Sequence, residues 1–193
     1  MVYKSIIEGI GVNLRPMEES DAEFTYKLRK NQDKKGTRFV HSLNGTVEDQ
    51  REYIKQQREK PGDYYFVVED KQGTPIGVVA YYNIIGTEGE MGRMIIDGSF
   101  VQNCDAILQL RRFAFEIIGA KHVRCTVVNG NKPVLAQIRR LGGIQVGSHI
   151  DPIDKNEVLE FVVSREAYEK RKAKYEDLVK KGYELEKKRN NHI

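Results

Sequence analysis

The feature that most constrains this chain is a change of pattern after Ile96. Three segments rich in β-branched and aromatic residues, Tyr64 to Glu69, Ile76 to Tyr82 and Glu90 to Ile96, follow one another. They are separated by Lys71-Gln72-Gly73 and by Gly86-Thr87-Glu88-Gly89, connections short enough to join antiparallel neighbours in a meander. Then the period lengthens. Ile107, Leu108, Leu110, Arg111, Ala114, Phe115 and Ile118 mark one face of a helix from Asp105 to Ile118, and His122 to Val128 reads as a buried strand. Strand, helix and strand in that order make a crossover whose second strand lies parallel to the first. The sheet must therefore begin antiparallel and contain a parallel junction.

The flanking segments extend this sheet. Val12 to Pro16 reads as a strand, and Ser20 with Glu23 three residues on forms a capping box that opens a helix through Phe24, Leu28 and Arg29. Thr46 and Asp49 cap a second helix carrying Tyr53, Ile54 and Gln57, which Pro61 and Gly62 end. After the crossover, Asn131 caps a helix with Pro133 in its first turn and Val134, Leu135, Ile138 and Leu141 on one face, closed by Gly142-Gly143. Ile144 to His149 and Val158 to Val163 supply the last strands. The expected order is β-α-α-β-β-β-α-β-α-β-β, a mixed α/β (α+β) sheet with helices on its faces. With 193 residues the chain has room for one sizeable core, so the division expected is a domain over 1–163 and a charged helix over 164–193.

That terminal segment holds ten Lys or Arg and six Asp or Glu, so the whole formal net charge of +4 lies there. Glu166/Lys170, Glu176/Lys180, Asp177/Lys181 and Glu184/Lys188 stand four apart with the acid first, the order that supports a solvated helix, whereas a nucleic-acid-binding arm would rarely interleave so many acids. No nucleic-acid partner is expected. Tyr168, Tyr175, Leu178 and Leu185 form an apolar stripe able to dock on the body or on a second copy in a homodimer. The longest mostly apolar run, Ile76 to Ile85, is about half of what a spanning helix needs, so no membrane role is expected. Met1 to Gly11 carries no leader-like apolar stretch, which makes cytoplasmic the expected location. Two cysteines, Cys104 and Cys125, exclude a disulfide framework and read as reduced core thiols. The phosphate-loop, dinucleotide-loop, nucleophile-elbow and zinc-protease motifs are absent, and His122, His149 and Arg93 give no metal-ligand spacing, so no metal is expected.

Particular residues carry a resemblance. Leu14-Arg15-Pro16 with Ser20-Asp21-Ala22, Tyr65 to Glu69 followed by Pro75-Ile76-Gly77-Val78, Glu90-Met91-Gly92, and the Asn-led helix from Asn131 to Gly142 resemble the GNAT acetyltransferases over roughly residues 13–149. The opening is similar to the branch containing ribosomal-protein N-terminal and bacterial sugar-nucleotide amine acetyltransferases. Tyr26-Lys27-Leu28-Arg29 is similar to the first helix of the amino-sugar enzymes.

The resemblance implies an acyltransferase that moves an acetyl group from acetyl-CoA to a primary amine of a small molecule or a peptide terminus. It places the pantetheine arm of acetyl-CoA where two parallel strands splay, along Met94, Ile95 and Ile96. Such an arm can satisfy open backbone groups as an added strand would. It places the diphosphate on Val101, Gln102, Asn103, Cys104, Asp105 and Ala106, at the start of the next helix, with Asn131 as a further cofactor contact. The family's turn carries glycines where this chain has Val101 and Asn103, and Asp105 is expected to be an N-cap. Where many members have a tyrosine that protonates the leaving thiolate, this chain has Ile138, and Gly143 replaces the usual aromatic residue. Direct attack by an amine needs a proton acceptor, for which Glu90 is the first candidate and Tyr82 the second. Arg29 and Arg38 could grip an anionic acceptor, and His41 could overlie it. The missing glycines and tyrosine leave a rival reading, a non-catalytic descendant serving as a binding or assembly module.

Overall fold

A computed structural model of the chain describes residues 3–30 and 45–190. Its strands are β1 (Ile7–Glu8), β2 (Val12–Pro16), β3 (Tyr64–Asp70), β4 (Pro75–Ile85), β5 (Glu88–Ile96), β6 (His122–Val128), β7 (Ile144–Ile150) and β8 (Glu157–Ser164). Its helices are α1 (Ala22–Lys30), α2 (Val47–Glu59), α3 (Phe100–Arg112), α4 (Lys132–Arg140) and α5 (Arg165–Asn190). The strands form one sheet in the order β1-β2-β3-β4-β5-β6-β8-β7. Every junction is antiparallel except β5–β6, which the α3 crossover makes parallel. The expected mixed sheet is therefore present, with one added edge strand, β1.

The alternation of each strand divides the core. Leu14, Phe66, Val68, Val79, Tyr81 and Met91 face α3 and α5, whereas Met17, Tyr65, Val67, Val78, Ala80 and Ile95 face α1 and α2. A third cluster, Val127, Leu135, Ile138, Leu159 and Phe161, seats α4 on β6 and β8. α2 starts at the Thr46–Asp49 capping box as expected. The cap before α1 is different: Asp21, not Glu23, accepts the Glu18 N–H at 2.8 Å, because Asp21 is also held by two Arg15 nitrogens at 2.9 Å. The connection between β4 and β5 is also tighter than expected, a two-residue turn at Gly86-Thr87, with Glu88 already in the strand.

α3 begins five residues before the expected start. Ser99 is its N-cap: Ser99 Oγ accepts the Gln102 N–H and Gln102 Oε1 accepts the Ser99 N–H, a reciprocal Ser-x-x-Gln box. Residues 101–106 are thus helical rather than a turn, and Asp105 is not an N-cap. Asp105 is fully buried. Its Oδ2 accepts the Gly11 N–H at 2.6 Å, the Val12 N–H at 3.2 Å and the Tyr183 hydroxyl at 3.2 Å, and its Oδ1 accepts from Gln109. α3 passes into a wider π turn over Phe113–Ile117 before β6.

α5 docks on the body, through the tyrosines of the expected stripe but not its leucines. Tyr168, Tyr175 and Val179 are buried, whereas Leu178 and Leu185 are exposed. The buried residues follow one another at seven and four, the spacing of a single helix face; Leu178 and Leu185 fall beside that line. Val101 lies against Gly182, where any Cβ would come within 2.7 Å of it. On the outer face Glu176–Lys180 and Asp177–Lys181 form the expected ion pairs. No helix among the described residues is long and apolar enough to cross a membrane.

Candidate active site

β5 and β6 are paired over three residues only, Glu88–His122, Gly89–Val123 and Glu90–Arg124. Past Glu90, β5 keeps its β4 partners as far as Ile96, and β6 keeps β8 as far as Val128. The two parallel strands part, leaving the inner backbone edge of Met91–Ile96 without a strand partner. A bulge accompanies the parting. Between Ile95 and Gly92 β5 uses three residue steps against two on β4, from Val78 to Ala80, and Arg93 takes φ +48°. An extra residue of this kind raises local twist and bends the strand that carries it. Arg93 is fixed in that conformation by a 2.7 Å ion pair to buried Asp63 and by stacking 4.1 Å over the Tyr82 ring.

The parting opens a cleft of about 900 Å³ between β5, β6, α3 and α4. Of the residues expected to hold the cofactor, Met94, Ile95, Ile96, Asn103 and Asn131 line it. Val101, Gln102, Cys104, Asp105 and Ala106 do not. Val101 packs on α5, Gln102 caps its own helix, Cys104 accepts from Gln137 at 3.4 Å, Asp105 holds β2, and Ala106 is core. The turn at the mouth is Asp97-Gly98-Ser99, so a glycine stands there after all, one that borders the cleft. Behind it the N–H groups of Phe100 and Val101 open α3 and, unlike that of Gln102, are not taken by the cap. Asn131 makes no side-chain cap, which leaves its amide to the cleft.

On the α1–α2 face the two candidates for proton transfer meet. Tyr82 and Glu90 are cross-strand partners, and the Tyr82 hydroxyl donates to Glu90 Oε1 at 2.8 Å. Asn83 donates to Oε2 at 3.3 Å. Burial first, then the Glu90 charge, holds the Tyr82 proton well above the ordinary phenol range. Tyr81, its chain neighbour, points the other way and is fully buried. Arg29, at the last turn of α1, lines the cleft with Tyr53 and Tyr65. Arg38 and His41 lie outside the described residues. Ile138 lines the cleft from α4, and a Cβ at Gly143 would collide with Ile138 Cγ2, so the packing has no space for an aromatic residue there. Cys125 is not wholly a core thiol: it borders the cleft, and burial pushes its pKa up to about 11 against the opposing influence of Arg111. Sequence reasoning missed Asp63, Tyr53 and Arg111. Among the described residues no group of three or more His, Cys, Asp or Glu could hold a metal ion.

The family model described as "Acetyltransferase (GNAT) domain" matches residues 12–144. The chain belongs to that family. No curated protein matches it. Among solved structures it is similar to apo FdhC, a nucleotide-linked sugar GNAT, at 24% identity and TM-score 0.76, over 90% of this chain and 97% of that one. It is also similar to a GCN5-related N-acetyltransferase from Brucella melitensis, at 16% identity and TM-score 0.76, over 92% and 86% of the two chains. A spermidine N-acetyltransferase SpeG chimera from Vibrio cholerae and hSSAT matches at 18% identity and TM-score 0.73, over 82% and 98%. Family membership makes the protein a GNAT acyltransferase, an enzyme of acyl transfer from acetyl-CoA to an amine, in place of the non-catalytic reading.

Proposed function

We propose that this GNAT enzyme acetylates the primary amine of a small anionic acceptor, of which a nucleotide-linked amino sugar is the first candidate. The observation that carries the reading is the parting of β5 from β6 just past Glu90, whose carboxylate stands behind the cleft wall and is joined to it by the hydrogen bond from the cleft-lining Tyr82. Acetyl-CoA supplies an activated acyl carbon. The open edge of Met94, Ile95 and Ile96 offers backbone partners to its amide arm, and the Phe100 and Val101 N–H groups at the start of α3 offer donors to its phosphates. Glu90, steadied by Tyr82 and Asn83, takes the proton of the attacking amine, directly or through a water.

The electrostatics of the acceptor side favour an anion over a polycation. Asp63 is held by Arg93, and Arg29, which lines the cleft, has no acid within ion-pair distance among the described residues, so its guanidinium is available to an anionic group of the acceptor. The similarity to FdhC agrees with this assignment, and it also fits the branch of sugar-nucleotide amine acetyltransferases. The test is release of free CoA thiol with an acceptor panel. Nucleotide-linked amino sugars should exceed spermidine and free amino acids by at least about tenfold in kcat/KM, and Arg29→Ala should erase most of that preference. Equal or better use of spermidine would overturn the assignment.

A further inference from the structure

α3 and the π turn after it bury Ala106, Leu110, Phe113 and Ala114, and among them α3 sets a guanidinium. Arg111 is 4% exposed. Its Nη1 reaches the Leu141 carbonyl only at 3.4 Å, its Nε has no partner, and no carboxylate pairs with it among the described residues. An arginine stays protonated, and a buried charge with no counter-charge is costly to keep. Such a group is explained most simply by a negative charge that arrives from outside.

Its position says where that charge arises. Arg111 lines the cleft together with Cys125, Ile138 and Leu141. α3 starts at the mouth and, as the crossover between two parallel strands, runs back along β5. Arg111 is eleven residues past Phe100, about 16 Å at 1.5 Å per residue, and Met91 lies the same distance, about 16 Å, back from Ile96 along β5. The guanidinium is thus level with the closed end of the cleft, and its partner Leu141 lies three residues past Ile138, on the same side of α4. Ile138 is an aliphatic side chain with no proton to give.

We propose that Arg111 is a catalytic residue that pairs with the thiolate of CoA as it departs, a charged substitute for a proton donor at Ile138. The inference rests on the acetyl-transfer reading above. The N–C bond forms as the C–S bond breaks, the sulfur keeps the electron pair, the amine proton passes to Glu90, and the thiolate takes a proton from water on release. A fixed cation in a dry site offsets that negative charge without reorganising.

The test is calorimetric binding of CoA and desulfo-CoA to the full chain between pH 7 and 9.5. If Arg111 meets the sulfur, the bound thiol ionises below the free value of about 8.5, so affinity for CoA relative to desulfo-CoA rises with pH, by about tenfold or more. Arg111→Met should abolish the rise and lower kcat about 100-fold at nearly unchanged amine KM, and Arg111→Lys should retain part of both. A wild-type ratio that stays flat with pH overturns the role of Arg111, whether or not the Met variant folds. An unchanged rise in Arg111→Met overturns it equally. Desulfo-CoA that binds with a flat ratio leaves the acetyl-CoA reading standing, whereas no binding of desulfo-CoA at all removes both.

Discussion

Tyr82 donates a 2.8 Å hydrogen bond to Glu90, its cross-strand partner at the last residue where β5 still touches β6. The direction of that bond assigns roles. A phenol held protonated by burial and by an adjacent carboxylate is a donor, so of the two Glu90 is the one proposed to accept the amine proton. Glu90→Gln should therefore lower kcat by about 10² or more, in the range of general-base losses, while calorimetric affinity for CoA stays within about twofold. Tyr82→Phe should cost less, about tenfold, because Asn83 still orients the carboxylate. Unchanged turnover in Glu90→Gln would remove this pair from the chemistry.

The same burial has a consequence for stability at high pH. Tyr65, Tyr81, Tyr82, Tyr168, Tyr175 and Tyr183 all hold their protons more tightly than free tyrosine, chiefly through burial, with Tyr81 at about 12. Above about pH 10 the unfolded chain has released phenolic protons that the folded chain keeps. Unfolding then releases protons, and stability must fall as pH rises. The contribution is complete below about pH 10 and is lost progressively above it. Urea midpoints should hold steady from pH 8 to 9.5 and drop between pH 10 and 11.5. A flat profile across that range would show these hydroxyls to be open to water.

Asp105 ties the middle of α3 to the start of β2. Its buried carboxylate receives two backbone N–H groups, a tyrosine hydroxyl and a glutamine amide. Asn at this position would turn an N–H₂ toward donors, leaving at least one of them unsatisfied. The expected loss is roughly 3 kcal/mol in urea unfolding, with turnover per folded molecule unchanged because Asp105 faces away from the cleft. Tyr183→Phe, which removes one donor and leaves the others, should cost about 1 kcal/mol. A neutral Asp105→Asn would mean that α3 is held by apolar packing alone.

The sheet could be read in advance because its signals are local. Alternating residues and glycine turns specify the meander, and the helical spacing of Ile107, Leu110 and Ala114 specifies the crossover. What could not be read locally was displaced. Asp105 looks like a cap, yet the Ser99–Gln102 box, which starts six residues earlier, is the stronger start signal and moves the turn before α3 to Gly98. The parting of β5 and β6 comes with a bulge at Arg93, and both are matters of register between strands, which no single segment encodes. Asp63 follows a helix end and carries no motif. Arg111 did leave a trace: it stands among apolar residues on the face that α3 buries.

The last prediction concerns the boundary at Ser164. Gly182 leaves no space for a side chain, since a Cβ would come within 2.7 Å of Val101 Cγ2 and 3.1 Å of Cγ1. On an exposed helix Gly→Ala gains about 1 kcal/mol from propensity, so at this contact the two effects oppose each other. Gly182→Ala should destabilise by about 1 kcal/mol in the wild-type background, the overpacking cost exceeding the propensity gain. With Val101→Ala present the same change should become stabilising by a few tenths to about 1 kcal/mol. That reversal of sign is the signature of α5 seated on α3. Removing the whole helix after Ser164 exposes the faces that Tyr168, Tyr175 and Val179 cover, at roughly 2–4 kcal/mol for each large side chain. The sum reaches the entire stability of an ordinary domain, so the truncated chain should lose its cooperative urea transition. A truncated chain that still unfolds cooperatively and binds CoA would make residues 1–163 a folding unit of their own, with α5 an appendage.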